Sequence, residues 1–338
     1  MINKTENHKY IYEPFSIRDT NVFKGVAILL MLIHHLFYVQ TGKYDDIHLG
    51  NHYLINEFAI FAKVCVTLFV FMSGYGLMIQ TERKGGVGKL TDFYIHRFRK
   101  LFFNYWFIWA LFVPISYFVF GMTFEKAYQD NVFCHLLADV FGVHYLFFNT
   151  TYCYNPTWWF YSCIILLYLF FPFMYKLIKR NPLVLILVTF AVSFLPISCL
   201  GVIRFYIVAF ALGMWAVQYQ VPHLGLSAVI FLIFILGGYC VCRNFNSYPL
   251  MIDCIITLMA YIIYRSISVP EYIKSVFAFL GRHSMNIFLF HTFIFHFWFQ
   301  DFIYISRNPL IIFLMLLSIC IPISMLLELI KKYTIYRV

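Results

Sequence analysis

Apolar residues in this chain come in long blocks divided by short polar stretches. Ten blocks stand out, at roughly 22–39, 58–79, 101–120, 158–178, 183–200, 201–218, 226–243, 249–267, 276–299 and 309–330. Each is close to the ~20 residues that carry a helix across a ~30 Å hydrocarbon core. The fifth and sixth nearly run together, and Pro196 and Gly201 are the best punctuation between them. Only helices or closed barrels satisfy their own backbone in lipid. These blocks are too long and too uniformly apolar for the alternating strands of a barrel. The pattern predicts an all-α fold, a polytopic membrane bundle of about ten transmembrane helices.

The cations orient this bundle. With the N-terminus in the cytoplasm and strict alternation, nineteen lysines and arginines fall inside, five outside, and Lys63 within a span. That asymmetry is the positive-inside pattern, and it predicts both termini in the cytoplasm. Residues 1–21 then form a cytoplasmic tail that does not read as a cleavable signal. Residues 121–157 form the longest outer segment; "CHLLADVFGVHYLFF" within it has enough helical periodicity to lie on the membrane or re-enter it. One membrane domain over 1–338 is expected.

Composition agrees. The chain is 62% hydrophobic and 12% charged, against roughly 25% charged in soluble domains. The net charge of +10 belongs to the inner loops and, with no basic run interleaved with aromatics, does not point to nucleic acid. Nine scattered cysteines without a CxxC read as small apolar fillers, so neither a disulfide framework nor a metal site is expected.

The informative residues are the polar ones inside apolar blocks, because each is costly there. In "KGVAILLMLIHHLF", Lys24 marks the inner boundary and His35 follows eleven residues later, about 16 Å further along a helix. His34 and His35 point about 100° apart; a bond to a neighbouring helix suffices for His34, whereas His35 is a candidate for chemistry. Lys63, near the outer end of the second block, either snorkels to water or serves a site. Ser73, Gly74, Tyr75 and Gly76 read first as close helix packing. Arg97, Arg99 and Lys100 are denser than topology requires and suit a polyphosphate, since guanidinium groups fork onto phosphate oxygens. Trp158 and Trp159 are boundary anchors, and Asp253 invites an ion pair with Arg204 or Arg243. In "FLGRHSMNIFLFHTFIFHFW", Arg282 and His283 mark the inner end. Asn286 lies one turn in, and His291 sits at a depth like that of His35. His48 and His52 lack a third ligand and carry no metal reading.

Taken in order, these stretches resemble the acyltransferase 3 family of integral membrane acyltransferases. The family opens its first helix with a basic residue, a Gly, and a His eleven positions after the base, matched by Lys24, Gly25 and His35. Its Ser-Gly-Tyr/Phe motif is matched by Ser73, Gly74 and Tyr75, and the position of Lys63 is basic in one branch. Its basic pair before the third helix is matched by Arg97 with Lys100, beside Arg99, without the usual following proline. Trp159 to Pro172 fits a further pattern, with Ile164 where many members carry Glu. The stretch ending in His291 is similar to a late family signature.

The resemblance implies a membrane O-acyltransferase. It would move an acyl group, acetyl from acetyl-CoA, from the cytoplasmic side to a hydroxyl of an extracytoplasmic polysaccharide or glycolipid. It implies His35, Lys24, His291 and Lys63 as the catalytic set, with His35 the general base. Arg97, Arg99 and Lys100 would hold the donor, and Trp159, Asn286, Ser73 and Tyr75 the substrate, with no metal. A multi-pass protein of a bacterial plasma membrane is the implied setting, and the bilayer, acyl-CoA and a surface glycan are the implied partners. Some members are discussed as transporters, so an exporter of a polysaccharide or lipid-linked glycan intermediate stands as the alternative.

Overall fold

The computed structural model describes residues 15–38, 42–148, 153–196, 200–219, 224–244 and 249–334. Over the described residues, each of the ten apolar blocks is largely helical. The first is α1 (Ile17–Phe37), which starts where Ser16 and Asp19 exchange side-chain and backbone hydrogen bonds in a capping box. Two short strands, β1 (His48–Leu49) and β2 (His52–Tyr53), pair as a hairpin, so His48 and His52 do not share a helix face. The second block is broken. It forms α2 (Leu54–Ala62) and α3 (Cys65–Arg83), joined by a tight turn at Lys63 and Val64 whose amides bond back to Ile60 and Phe61.

The third block extends further inward than its hydropathy: α4 runs Leu90–Phe118. Arg97, Arg99 and Lys100 therefore sit on a helix with fixed spacing rather than in a loop. Three short helices follow, α5 (Phe124–Tyr128), α6 (Val132–Val140) and α7 (His144–Phe148). They turn back down along α4. Tyr105 donates to the Asp139 carbonyl at 2.5 Å and Trp106 to the Val140 carbonyl at 2.8 Å, about 18 Å short of the end of α4. A 3₁₀ turn at Pro156–Trp158 leads into α8 (Trp159–Arg180). Asn181 caps α9 (Pro182–Phe194), shorter than the 183–200 block. The remainder is α10 (Ile203–Gln218), α11 (Leu226–Asn244), α12 (Pro249–Ser266), α13 (Glu271–Thr292) continued by a π turn at Phe293–Trp298, α14 (Gln300–Ile303) and α15 (Pro309–Thr334). Among the described residues, five helical stretches are long and apolar enough to cross a membrane: Ile17–Phe37, Leu54–Arg83, Leu90–Phe118, Pro156–Arg180 and Pro309–Tyr333. Shorter apolar helices accompany them. The protein is an all-α membrane bundle.

Glycines set how its helices meet. A Cβ on Gly25 would collide with the Phe277 carbonyl, and one on Gly281 with the Asn21 carbonyl. α1 and α13 thus cross backbone to backbone, each through its own glycine, as small residues allow in lipid. Gly25 and Gly281 are each ten residues before His35 and His291. Two parallel helices in contact at the glycines bring the imidazoles level about 15 Å further out. α3 and α10 repeat the device, with Gly74 against Phe210 and Gly213 against Phe71. Gly74 of the Ser-Gly-Tyr motif is therefore a packing residue.

The outer end of α1 is closed by the loop that follows. Burial and the neighbouring Asp46 push the Tyr44 hydroxyl up to about 12, so it stays protonated and donates to the Phe37 carbonyl at 2.7 Å. Asp46 also accepts from the Ile55 and Asn56 amides at the start of α2.

Candidate active site

Three imidazoles gather where α1 meets α13. The His35 ring lies 5.1 Å from that of His34 and 5.1 Å from that of His291, centroid to centroid. Two of the three are pinned. His34 Nδ1 donates to the Ala59 carbonyl at 2.7 Å. His291 Nδ1 faces the carbonyls of Ile287 and Phe288, both at 3.0 Å. Carbonyls only accept, so the proton is on Nδ1 in both, which fixes the tautomer. His35 makes no hydrogen bond among the described residues.

His35 instead lines a chamber of about 210 Å³. Met31 and His34 of α1, Lys63 at the α2–α3 break, and Cys65, Val66 and Phe69 of α3 line it with His35. Tyr145, Thr157, Trp159, Phe160, Val202 and Phe288 complete the lining. His35 and Lys63 are within electrostatic reach of each other. The segment descending along α4 builds part of this wall. Asn155 Nδ2 and Trp158 Nε1 both donate to the Leu289 carbonyl, at 3.2 and 3.0 Å, fixing the start of α8 two residues from His291.

The inner cations form a second group. Lys24 and Lys100 feel each other's charge, and His96 stands among Lys84, Arg97 and Lys100. Arg97 donates to Gln80 at 2.9 Å and lies near Tyr168, which stands beside Ser73. Lys24, Ser73, Arg97 and Lys100, from three helices, therefore sit at the inner end of the bundle. His35 is about 16 Å beyond Lys24 along α1. Arg99 is exposed on the same helix as Arg97.

Two residues expected at the substrate lie elsewhere. Tyr75 is buried against Phe15 and Tyr261, and its hydroxyl accepts from the Phe15 amide at 3.1 Å. Asn286 faces α15, not the chamber. Its Nδ2 donates to Glu328 at 2.7 Å and its Oδ1 accepts from Lys331 at 2.6 Å. Lys331 reads in the sequence as one more cytoplasmic cation, yet its side chain is only 4% exposed. It turns into the bundle and also bonds Asn104 and Glu328. His283, expected at the inner boundary, is buried and bonds Ser324 at 2.9 Å. Arg204 donates to the Leu195 carbonyl and forms no ion pair with Asp253, and the Arg243 side chain lies outside the described residues.

Sequence reasoning missed Tyr145, Thr157 and Phe288 in the chamber wall. None has a local signal, because the first two lie in a segment whose hydropathy marks only the outer side. Among the described residues no group of three or more His, Cys, Asp or Glu could hold a metal.

Helices packed through glycine, imidazoles deep in the bundle and cations toward one end describe a membrane bundle with a chamber beside its histidine cluster. The family model for the acyltransferase domain of the acyltransferase 3 family matches residues 17–329. The chain belongs to that family and is a membrane acyltransferase. No match was found among curated proteins or among solved structures.

Proposed function

We propose that the protein is an O-acyltransferase that takes acetyl from acetyl-CoA on the cytoplasmic side and delivers it to a hydroxyl of an extracytoplasmic polysaccharide or glycolipid. The observation that carries this reading is the state of His35. It is the one imidazole of the three with no hydrogen bond among the described residues, and it lines the chamber.

The chemistry follows from the residues. Lys24, Arg97, Arg99 and Lys100 supply the positive charge that the phosphates of the donor need. The thioester end of the donor reaches outward to His35. A neutral imidazole there accepts the proton of the acceptor hydroxyl as its oxygen attacks the acyl carbon. The tetrahedral oxyanion collapses, the carbon–sulfur bond breaks, and the imidazolium returns the proton to sulfur. Atoms and charge balance without a further reactant. Lys63, on the chamber wall, stabilises the oxyanion. His291 packs on His35 and holds its plane. Ser73 and Tyr168 brace Arg97. A positioned base of this kind contributes roughly 10²–10⁴-fold.

The setting is the plasma membrane of a bacterium, with the hydroxyl arriving from outside. The test is mass spectrometry of surface glycans from cells with and without this protein. An acetyl mass increment (or that of another acyl group) present only with the protein supports the reading. Unchanged glycan masses together with lost export of the glycan would replace it with transport.

A further inference from the structure

Aromatic side chains share the chamber lining with His35. Tyr145 comes from α7, in the segment that descends from the outer side, and Trp159 opens α8. Their rings pack as a tilted corner, centroids 6.0 Å apart at 53°, and both line the chamber. Neither ring is loose. Trp159 is backed by Tyr206 at 5.6 Å, and the Val202 amide donates to the Tyr145 hydroxyl at 3.5 Å. Both side chains are only partly buried, so ring surface remains for whatever fills the chamber. Two pinned rings cost little ordering when a ligand stacks on them.

We infer that the Tyr145–Trp159 corner is the acceptor subsite, and that it holds a single sugar ring by stacking against the ring's C–H face. This rests on the O-acyltransferase reading and adds the form of the acceptor. A pyranose has one face rich in C–H bonds and a rim of hydroxyls, so stacking on these rings leaves the rim free to meet His35 and Lys63 of the same chamber. The chamber, at about 210 Å³, is smaller than the 300–1,000 Å³ of usual ligand pockets. It admits one ring with the acyl carbon beside it, not a polymer passing through. The acylated unit is then the end residue of a chain or a singly glycosylated precursor, not an internal unit.

The test uses the full-length protein in detergent with labelled acetyl-CoA and a panel of methyl hexopyranosides and methyl N-acetylhexosaminides. Glycerol serves as a non-ring alcohol, and oligosaccharides capped at the terminal residue as internal-unit probes. Label should enter at least one pyranoside, and neither glycerol nor the capped chains should compete with it. Tyr145→Ala should raise the KM for that pyranoside about ten-fold with the KM for acetyl-CoA unmoved, and Tyr145→Phe should restore it. Equal transfer to glycerol, transfer to none of the pyranosides, or an unchanged acceptor KM in Tyr145→Ala would overturn the inference. Those results leave the broader reading intact as long as the wild-type protein still cleaves acetyl-CoA. A wild-type protein that cleaves none removes that reading as well.

Discussion

Two regions of this bundle bury polar groups that a membrane helix does not tolerate idly, and they treat them differently. Toward the inside, Lys331 is enclosed by oxygens of Asn104, Asn286 and Glu328, one from each of α4, α13 and α15. Asn286 and His283 bond Ser324 in turn. Further out, His34 and His291 are anchored to carbonyls while His35 faces an open chamber. The inner network is closed, and it joins three helices. The outer cluster is closed except at one ring. Ionisable groups in a membrane protein are by default candidates for function. The difference here is that the inner groups and two of the three imidazoles are held by partners, while His35 is left for the chemistry proposed above.

That contrast can be broken at its frame first. Gly281→Val places side-chain atoms where the Asn21 carbonyl stands, separating α13, which carries both Asn286 and His291, from α1. The cost should exceed the about 1–3 kcal/mol of ordinary overpacking. Thermal unfolding in detergent should show a large loss of stability, and acyl transfer should vanish with it. Next in size, Lys331→Met leaves Asn104 and Asn286 short of a partner, costing about 1–3 kcal/mol. Adding Asn286→Leu to that variant should recover part of the loss, because an apolar pair is better than a half-satisfied network. Smaller again, His34→Leu frees the Ala59 carbonyl. It should cost about 1 kcal/mol of stability and change transfer less than ten-fold. The smallest effect has the opposite sign. Gly76, two residues from the blocked Gly74, has open space where a Cβ would go, so Gly76→Ala should stabilise α3 by up to about 1 kcal/mol.

Much of this was legible in the sequence because hydropathy and helical spacing are local. The ten apolar blocks became helices, and the distance from Lys24 to His35 placed a cation and an imidazole at different depths on one helix. The packing reading of Gly74 also followed from residue size alone. What escaped depended on which helices become neighbours. Lys331 sits three residues from Glu328, as many surface cations do. Only the approach of α4 and α13 turns it inward. Tyr145 and Thr157 lie in a segment whose fold back along α4 is fixed by Tyr105 and Trp106, residues that read as ordinary aromatics of a span. Tyr75 and Asn286 stand in or near family motifs, yet their hydroxyl and amide groups are used by Phe15, Glu328 and Lys331.

The central claim is that the open imidazole is the base. The direct measurement is transfer of labelled acetyl from acetyl-CoA to acceptor by purified His35→Gln beside the wild-type protein, with thermal unfolding of both. His35→Gln should lower the rate about 10²–10⁴-fold at unchanged stability; transfer at the wild-type rate would show that His35 is not the base.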